Sequence, residues 1–224
     1  MSEESEGSWW RPGELHLQSS FSGFGTPAID ESFAGLRRHE LDDDAWVDHR
    51  PGWLVGDQVV FDRLIFGLPW RQRIGRLKHG QLMPEPRLTS SWKPNDGPEA
   101  LPILAAMRRA LCARYAKAFE SIGFNCYRRG RDSLGWHGDR RREAPADAVV
   151  AIVSVGAPRP FQLRPTGGRT AISFDLGDGD LFVMGGTCQR DWEHRLPRRR
   201  HAEPRISITF RHRTPPIDDC VAGV

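Results

Sequence analysis

Residues 205–211 read Arg-Ile-Ser-Ile-Thr-Phe-Arg. Polar and apolar side chains alternate strictly there, as on a half-buried antiparallel strand whose successive side chains point to opposite faces. Arg205 and Arg211 stand six positions apart and therefore share one face. Upstream lie five more short β-prone runs, at 124–128, 148–155, 161–164, 171–176 and 180–184, separated by Gly, Pro and Asp. Several alternate in the same way. Short strands at this spacing predict a sandwich, barrel or jelly roll.

The chain before residue 124 has a different texture. Leu104, Met107, Leu111, Tyr115, Ala118 and Ile122 recur at steps of three and four, which predicts an amphipathic helix over 99–122 stopped by Gly123. A second helix is expected from a cap at Asp57, carrying Val60, Phe61 and Leu64 and ending near Gly67-Leu68-Pro69. A third, short one is expected over 27–39, with Pro27 in its first turn. Residues 1–26 are rich in Gly, Ser and Trp without periodicity and read as a loose arm. No internal repeat or clear boundary interrupts the rest. The expected fold class is α+β, mainly β, with N-terminal helices buttressing one β core.

At 224 residues and 25.3 kDa, with 38% hydrophobic side chains, the chain can bury the core of a domain. No stretch approaches the roughly twenty apolar residues that cross a bilayer, so no membrane partner is expected. The acidic start Met-Ser-Glu-Glu-Ser-Glu lacks the apolar segment of a secretory signal. Cys112, Cys126, Cys188 and Cys220 form no C-x-x-C pair, which argues against a zinc ribbon or redox dithiol and suits reduced thiols in a cytoplasmic protein. The net charge is only +3, but it is unevenly spread. Acidic residues crowd positions 30–62 (Asp30, Glu31, Glu40, Asp42, Asp43, Asp44, Asp48, Asp57, Asp62). Arginines crowd two later stretches: Arg128, Arg129 and Arg131 with Arg140, Arg141 and Arg142, then Arg195 with Arg198, Arg199 and Arg200. Such asymmetry fits a face that meets a polyanion, or a solvated charged surface.

His137-Gly-Asp139 places two potential ligands two residues apart. In an extended segment both project to one side and can grip one ion. His194, after the run 180–184, qualifies as a third ligand. Two imidazoles and a carboxylate on one face of a metal leave positions open, which suits non-haem Fe(II) that must bind co-substrate and oxygen. The same donors can also hold zinc. In a jelly roll, the face bearing Arg205 and Arg211 can look into the barrel. A buried Arg needs an anion, and its planar fork matches a carboxylate. A dicarboxylic acid with one end on the metal and the other on Arg satisfies both. Asn125 and Tyr127, again i and i+2, can add hydrogen bonds from a neighbouring strand.

Read in order, Asn125-Cys-Tyr127-Arg-Arg-Gly130-Arg-Asp132-Ser-Leu-Gly-Trp136-His137-Gly-Asp139, then Gly179-Asp180-Leu-Phe-Val-Met184, His194, and Pro204-Arg205-Ile-Ser-Ile-Thr-Phe-Arg211 resemble the AlkB family of Fe(II)/2-oxoglutarate dioxygenases, the oxidative nucleic-acid dealkylases. Leu68-Pro69-Trp70 and Pro86-Arg87-Leu-Thr extend the resemblance. It implies a domain over 46–213, preceded by an arm and a short acidic helix over 1–45 and followed by a tail over 214–224.

The resemblance implies a double-stranded β-helix, a jelly roll, which is one of the three architectures that the strand pattern allows. His137, Asp139 and His194 become the catalytic iron ligands. Arg205 becomes the partner of the distal carboxylate of 2-oxoglutarate, with Asn125, Tyr127 and Arg211 completing that pocket, and O2 takes the remaining position. The implied reaction hydroxylates an N-methyl carbon on a base of the 1-methyladenine or 3-methylcytosine type in DNA, with RNA as the alternative, and releases formaldehyde and succinate. Such a base must be flipped or single-stranded. Trp92 and Trp136 are candidate stacking partners, and Arg140–142 and Arg198–200 candidate phosphate contacts. One departure concerns substrate choice. Many relatives carry an acidic residue two positions after the ligand Asp, where this chain has Arg141, with Glu143 the nearest substitute. The expectation is a monomer acting in the cytoplasm, at the nucleoid in a bacterium. The alternatives are a hydroxylase of a small molecule or protein side chain, and a non-catalytic nucleic-acid binding protein on the same fold.

Overall fold

A computed structural model of the chain describes residues 25–76, 80–138, 147–169 and 172–212. Its first elements are short strands: β1 (Ala28–Ile29), β2 (Arg37–Glu40), β3 (Ala45–Arg50) and β4 (Leu54–Val55). The helix expected over 27–39 does not form. The Asp30 carboxylate accepts hydrogen bonds from the Ser32 amide and hydroxyl, closing a local turn that competes with a helix. Phe33 and Gly35 then adopt left-handed φ values of 54° and 76°, and the chain emerges as a strand. The short acidic helix of the N-terminal portion is therefore replaced by turns and strands.

Helix α1 (Asp57–Gly67) lies where expected, with its cap one residue early. Gly56, at φ 73°, holds the N-cap position, and Asp57 sits in the first turn. The hairpin strands β5 (Ile74–Arg76) and β6 (Leu82–Pro84) and strand β7 (Leu88–Trp92) follow. The long helix expected over 99–122 is in fact two elements, α2 (Pro102–Tyr115) and strand β8 (Phe119–Tyr127). Ala116, at φ 50°, ends the helix. Ile122 satisfies both periods, four residues from Ala118 but also two from Phe124. Pairing decides between them: β8 is bonded along its length to the last strand, so Gly123 lies in mid-strand instead of capping a helix.

The remaining elements are β9 (Leu134–His137), β10 (Val150–Gly156), β11 (Arg159–Pro165), β12 (Ile172–Leu176), β13 (Leu181–Gly186), the single turn α3 (Cys188–Asp191), β14 (Trp192–Leu196) and β15 (Arg205–His212). They wind between two antiparallel sheets. One has the order β2-β3-β13-β10-β15-β8-β7, the other β12-β11-β14-β9. This alternation is a double-stranded β-helix, and the large sheet already includes β2 and β3.

The two faces of the large sheet have separate jobs. Phe124, Val153, Ile206, Ile208 and Phe210 join Phe61, Leu64, Leu104, Met107 and Leu111 of α1 and α2 in one apolar cluster, so the helices buttress the sheet from outside. Each such side chain contributes about 1.5–3 kcal/mol on burial, which is ample to seat two short helices. Between the sheets, Val150, Ile152, Phe161, Leu163, Leu176, Phe182 and Met184 form a second cluster. The alternation that sends Ile206, Ile208 and Phe210 outward turns the polar residues of β15 into the space between the sheets.

Candidate active site

That space holds a cavity. Along β15 it is lined by Arg205, Ser207, Thr209 and Arg211, and along β8 by Asn125 and Tyr127. Cross-strand register sets Arg205 opposite Tyr127 and Ser207 opposite Asn125. The opposite wall comes from the small sheet, with His137 and Leu134 on β9, His194 and Leu196 on β14, and Phe161 on β11. The structure thus gathers His137, His194, Asn125, Tyr127, Arg205 and Arg211 around one cavity. Asp139, Arg140, Arg141 and Glu143 lie outside the described residues, and no cluster of three or more metal-ligating side chains occurs among the described residues.

His137 and His194 are register partners on adjacent antiparallel strands, with ring centroids 4.2 Å apart. The Nδ1 of His137 lies 2.9 Å from the Gly135 carbonyl and 3.1 Å from that of His194. Carbonyl oxygens only accept, so in the neutral ring the proton sits on Nδ1 and the lone pair on Nε2. His194 is buried and stacks on Phe161 at 5.3 Å. Two imidazoles held this close, with at least one in a fixed tautomer, fit a divalent transition metal.

Arg205 is 1% exposed. Its Nε donates to the Leu176 carbonyl at 3.1 Å and its Nη2 to the Ser154 hydroxyl, and among the described residues no carboxylate pairs with it. Burial pushes the guanidinium down to about 10, and the neighbouring Arg159 adds to the shift. Tyr127, whose ring centroid lies 5.7 Å from the Arg205 guanidinium, is pushed up by burial. A buried cation without an anion is costly, and this one fits the free carboxylate of a dicarboxylic acid. Asn125 is held in place by Arg87, whose Nε donates to its side-chain oxygen at 3.0 Å. Gly123 continues the same inward row. A Cβ there would come within 3.0 Å of Arg211 Nη1, so the bare backbone leaves room for that guanidinium.

The two tryptophans expected to stack on a base are not placed for it. Trp92 is buried in the helix-side core, with its Nε1 donating to the Gly97 carbonyl. Trp136 neighbours His137 but lies on the other face of the small sheet. Its ring packs against Arg164 and Arg195, and Arg195 itself sits between the cavity residues His194 and Leu196.

Arg159 escaped the sequence reading. It is as buried as Arg205, and its Nη2 donates at 3.0 Å to the carbonyls of both Asp132 and Pro197, with Nη1 near that of Arg129. One guanidinium thereby ties the loop after β8 to the loop after β14. Its signal was available: Arg159 shares a face with Phe161 and Leu163, where an apolar side chain is the norm. The two loops enclose a cleft lined by Arg129, Gly130, Arg131, Arg200, His201, Ala202 and Glu203, closed by a bond from the Arg199 amide to the Gly130 carbonyl at 2.7 Å. Arg129 and Arg131 of one loop are thus brought together with Arg199 and Arg200 of the other.

The model of the 2OG-Fe(II) oxygenase superfamily matches residues 72–211. The chain is 31% identical over 174 residues to the alpha-ketoglutarate-dependent dioxygenase alkB homolog 3 of Mus musculus, covering 68% of this chain and 60% of that protein. It is 32% identical over 120 residues to the DNA oxidative demethylase ALKBH2 of Mus musculus, covering half of each. The chain therefore spans about three fifths of the length of the first relative and half of the second. The solved structure of OsALKBH1 superposes with a TM-score of 0.55 at 16% identity, over 79% of this chain and all of that one, a likeness of fold. The matched segment contains every described residue of the cavity, on a β-helix of the same kind, and the chain belongs to the AlkB family of the 2OG-Fe(II) oxygenase superfamily.

Proposed function

We propose that this protein is an Fe(II)/2-oxoglutarate-dependent dioxygenase that removes N-alkyl groups from nucleic-acid bases. Its first substrates are 1-methyladenine or 3-methylcytosine in DNA, with RNA as the alternative. One observation carries the reading: Arg205, a fully buried guanidinium with no carboxylate partner among the described residues, shares a cavity with the His137–His194 pair.

In this reading His137, Asp139 and His194 hold the iron. When bound, the iron with 2-oxoglutarate and O2 supplies oxidative decarboxylation to succinate and hydroxylation of the N-methyl carbon, which leaves as formaldehyde. The protein supplies orientation. Arg205, fixed by Ser154 and the Leu176 carbonyl, receives the distal carboxylate in a water-poor site where a charge-assisted pair is strong. Asn125 and Tyr127 line the same end, and Arg211 stands further along the row. Ile152, Phe161 and Met184 form an apolar wall that limits water beside the histidines.

The cleft between the two arginine-bearing loops receives phosphates of the substrate strand. Arg140 and Arg141 add further contacts, and Glu143 takes the exocyclic amine of the base. In this reading the protein works as a monomer in a reducing cytoplasm, where Cys126 and Cys188 stay buried free thiols.

The test is mass spectrometry of a short DNA carrying 1-methyladenine or 3-methylcytosine, incubated with the protein, Fe(II), 2-oxoglutarate and air. Loss of one methyl group with the wild type, and none with His194→Ala, is the expected result. Succinate formed without any change in the DNA would keep the oxygenase and discard the base, and Arg141 would then be the first residue to revert to an acid. No succinate at all would discard both.

A further inference from the structure

We infer that Trp136 is a positioning residue for the metal site, an indole clamped by Arg164 and Arg195 on the outer face of the small sheet that fixes His137 on the inner face. The inference rests on the reading that His137 and His194 hold a metal.

Strand β9 carries His137 and lies at the edge of its sheet, with β14 as its single neighbour. Among the described residues two register pairs join them, His194 with His137 and Leu196 with Leu134, and a bulge separates the two pairs. So short and irregular a ladder leaves the edge strand weakly held by its backbone. Side chains on the outer face make up the difference. The Arg164 guanidinium carbon lies 4.2 Å from the Trp136 ring centroid and that of Arg195 4.4 Å. These distances are well within cation–π range, and the electron-rich ring faces accept both cations.

Both guanidinia are themselves fixed. Arg164 is paired with Glu193 at 2.7 and 2.8 Å, and Arg195 donates to the Gln162 side-chain oxygen at 2.7 Å. β11 contributes Arg164 and Gln162, β14 contributes Glu193 and Arg195, and β9 contributes the indole. Three strands are thereby locked together one residue away from each histidine of the pair. Neighbouring residues on a strand point to opposite faces, so restraining the indole restrains the direction of the His137 ring.

The probe is Mn(II) without co-substrate, titrated into the full chain and followed by the electron paramagnetic resonance of the free ion. Trp136→Ala should weaken Mn(II) binding by about tenfold, the scale on which supporting residues act on metal ligands. Trp136→Phe, which keeps an aromatic face, should return affinity to within about threefold of wild type. Thermal unfolding without metal separates positioning from general stability: the midpoint of Trp136→Ala should change little while its affinity falls. Should Trp136→Ala fail to fold, Arg195→Met removes one wall of the clamp and should weaken binding in the same direction. Unchanged Mn(II) affinity in a folded Trp136→Ala protein would overturn the inference and leave the metal reading intact. A loss no larger than its loss of stability explains would overturn it in the same way. A wild type that binds no Mn(II) would remove the metal reading and this inference with it.

Discussion

The Nδ1 of His137 lies 3.1 Å from the main-chain carbonyl of His194, the residue directly across the ladder from it. In the proposed metal site one imidazole is thus oriented by the backbone of the other, and the pair is set without a metal. Such preorganisation means that metal affinity depends on the ladder as well as on the two rings.

Removing either ring should abolish metal-dependent stabilisation while sparing the fold, because both side chains face the cavity and not the helix-side core. A site filled at a hundred times its dissociation constant adds about 2.7 kcal/mol to stability. The wild type should therefore melt several degrees higher with Mn(II) than without it. His194→Ala and His137→Ala should show no such rise in the same scan, and a preserved rise would take that residue out of the site.

Arg205 should cost the unliganded protein stability. Burial lowers its guanidinium to about 10 from an ordinary 12.5. The folded state thus disfavours the charged form. The penalty is present at every pH below about 10 and is relieved only as pH climbs from there toward the ordinary value. At neutral pH, Arg205→Met should leave the unliganded protein as stable as wild type or more stable by about 1–3 kcal/mol, while erasing the stabilisation that 2-oxoglutarate gives the wild type. Urea unfolding with and without 2-oxoglutarate reads both effects. A destabilised variant that still responds to the ligand would contradict them.

Gly130 should be intolerant of any side chain. A Cβ there would stand 2.4 Å from the Arg199 carbonyl oxygen, so the two arginine-bearing loops must part. Gly130→Ala is expected to cost about 1–3 kcal/mol of stability and to flatten the salt dependence of nucleic-acid binding as phosphate contacts are lost. Fluorescence anisotropy with a labelled oligonucleotide over a range of salt concentrations measures the slope. An unchanged slope would place the phosphate contacts elsewhere.

Asp48 serves stability alone. It is 1% exposed, accepts a two-pronged bond from Arg38 at 2.7 and 2.9 Å, and accepts the Tyr115 hydroxyl at 3.0 Å. It lies in the large sheet outside the cavity-lining set. Asp48→Ala removes the partner of the half-buried Tyr115 hydroxyl and should cost about 1–3 kcal/mol, leaving the dependence of turnover on 2-oxoglutarate unchanged in the folded fraction. Denaturant unfolding alongside a turnover assay tests the separation.

Much of the jelly roll was legible in the chain, and the reasons for the gaps are physical. The run 205–211 alternates without exception because one of its faces meets the helices and the other a polar cavity, so both strand and inward face could be read from it. The stretch 99–122 misled because Ile122 fits a helical period and a strand period equally, and only pairing with β15 separates them. Strand β9 is four residues long, with a Gly and a bulge, and shows no alternation to find. For the cavity, Asn125 with Tyr127 and Arg205 with Arg211 were legible as same-face pairs, and His137 through its spacing to Asp139; His194 was singled out without its strand, β14, whose run Trp192–Leu196 shows no clear alternation. Trp136 was read as a stacking partner for a base because it adjoins His137 in sequence, but adjacency in a strand means opposite faces. For Arg159 the sequence shows a polar residue in the buried row of Phe161 and Leu163, but not what it does there: its partners are the carbonyls of two distant loops, which carry no trace in side-chain identity.

The most direct test of the account is an anaerobic titration of the protein with Fe(II) and then 2-oxoglutarate, followed by visible absorption. If His137 and His194 hold the metal and Arg205 anchors the far end of a co-substrate chelating it, the wild type should develop a charge-transfer band that saturates with 2-oxoglutarate. His137→Ala should show no band. Arg205→Ala should show one only at about a hundredfold more 2-oxoglutarate, the cost of losing a buried charge-assisted pair. A wild type with no band, or an Arg205→Ala protein that saturates at the wild-type concentration, would contradict the assignment of this cavity.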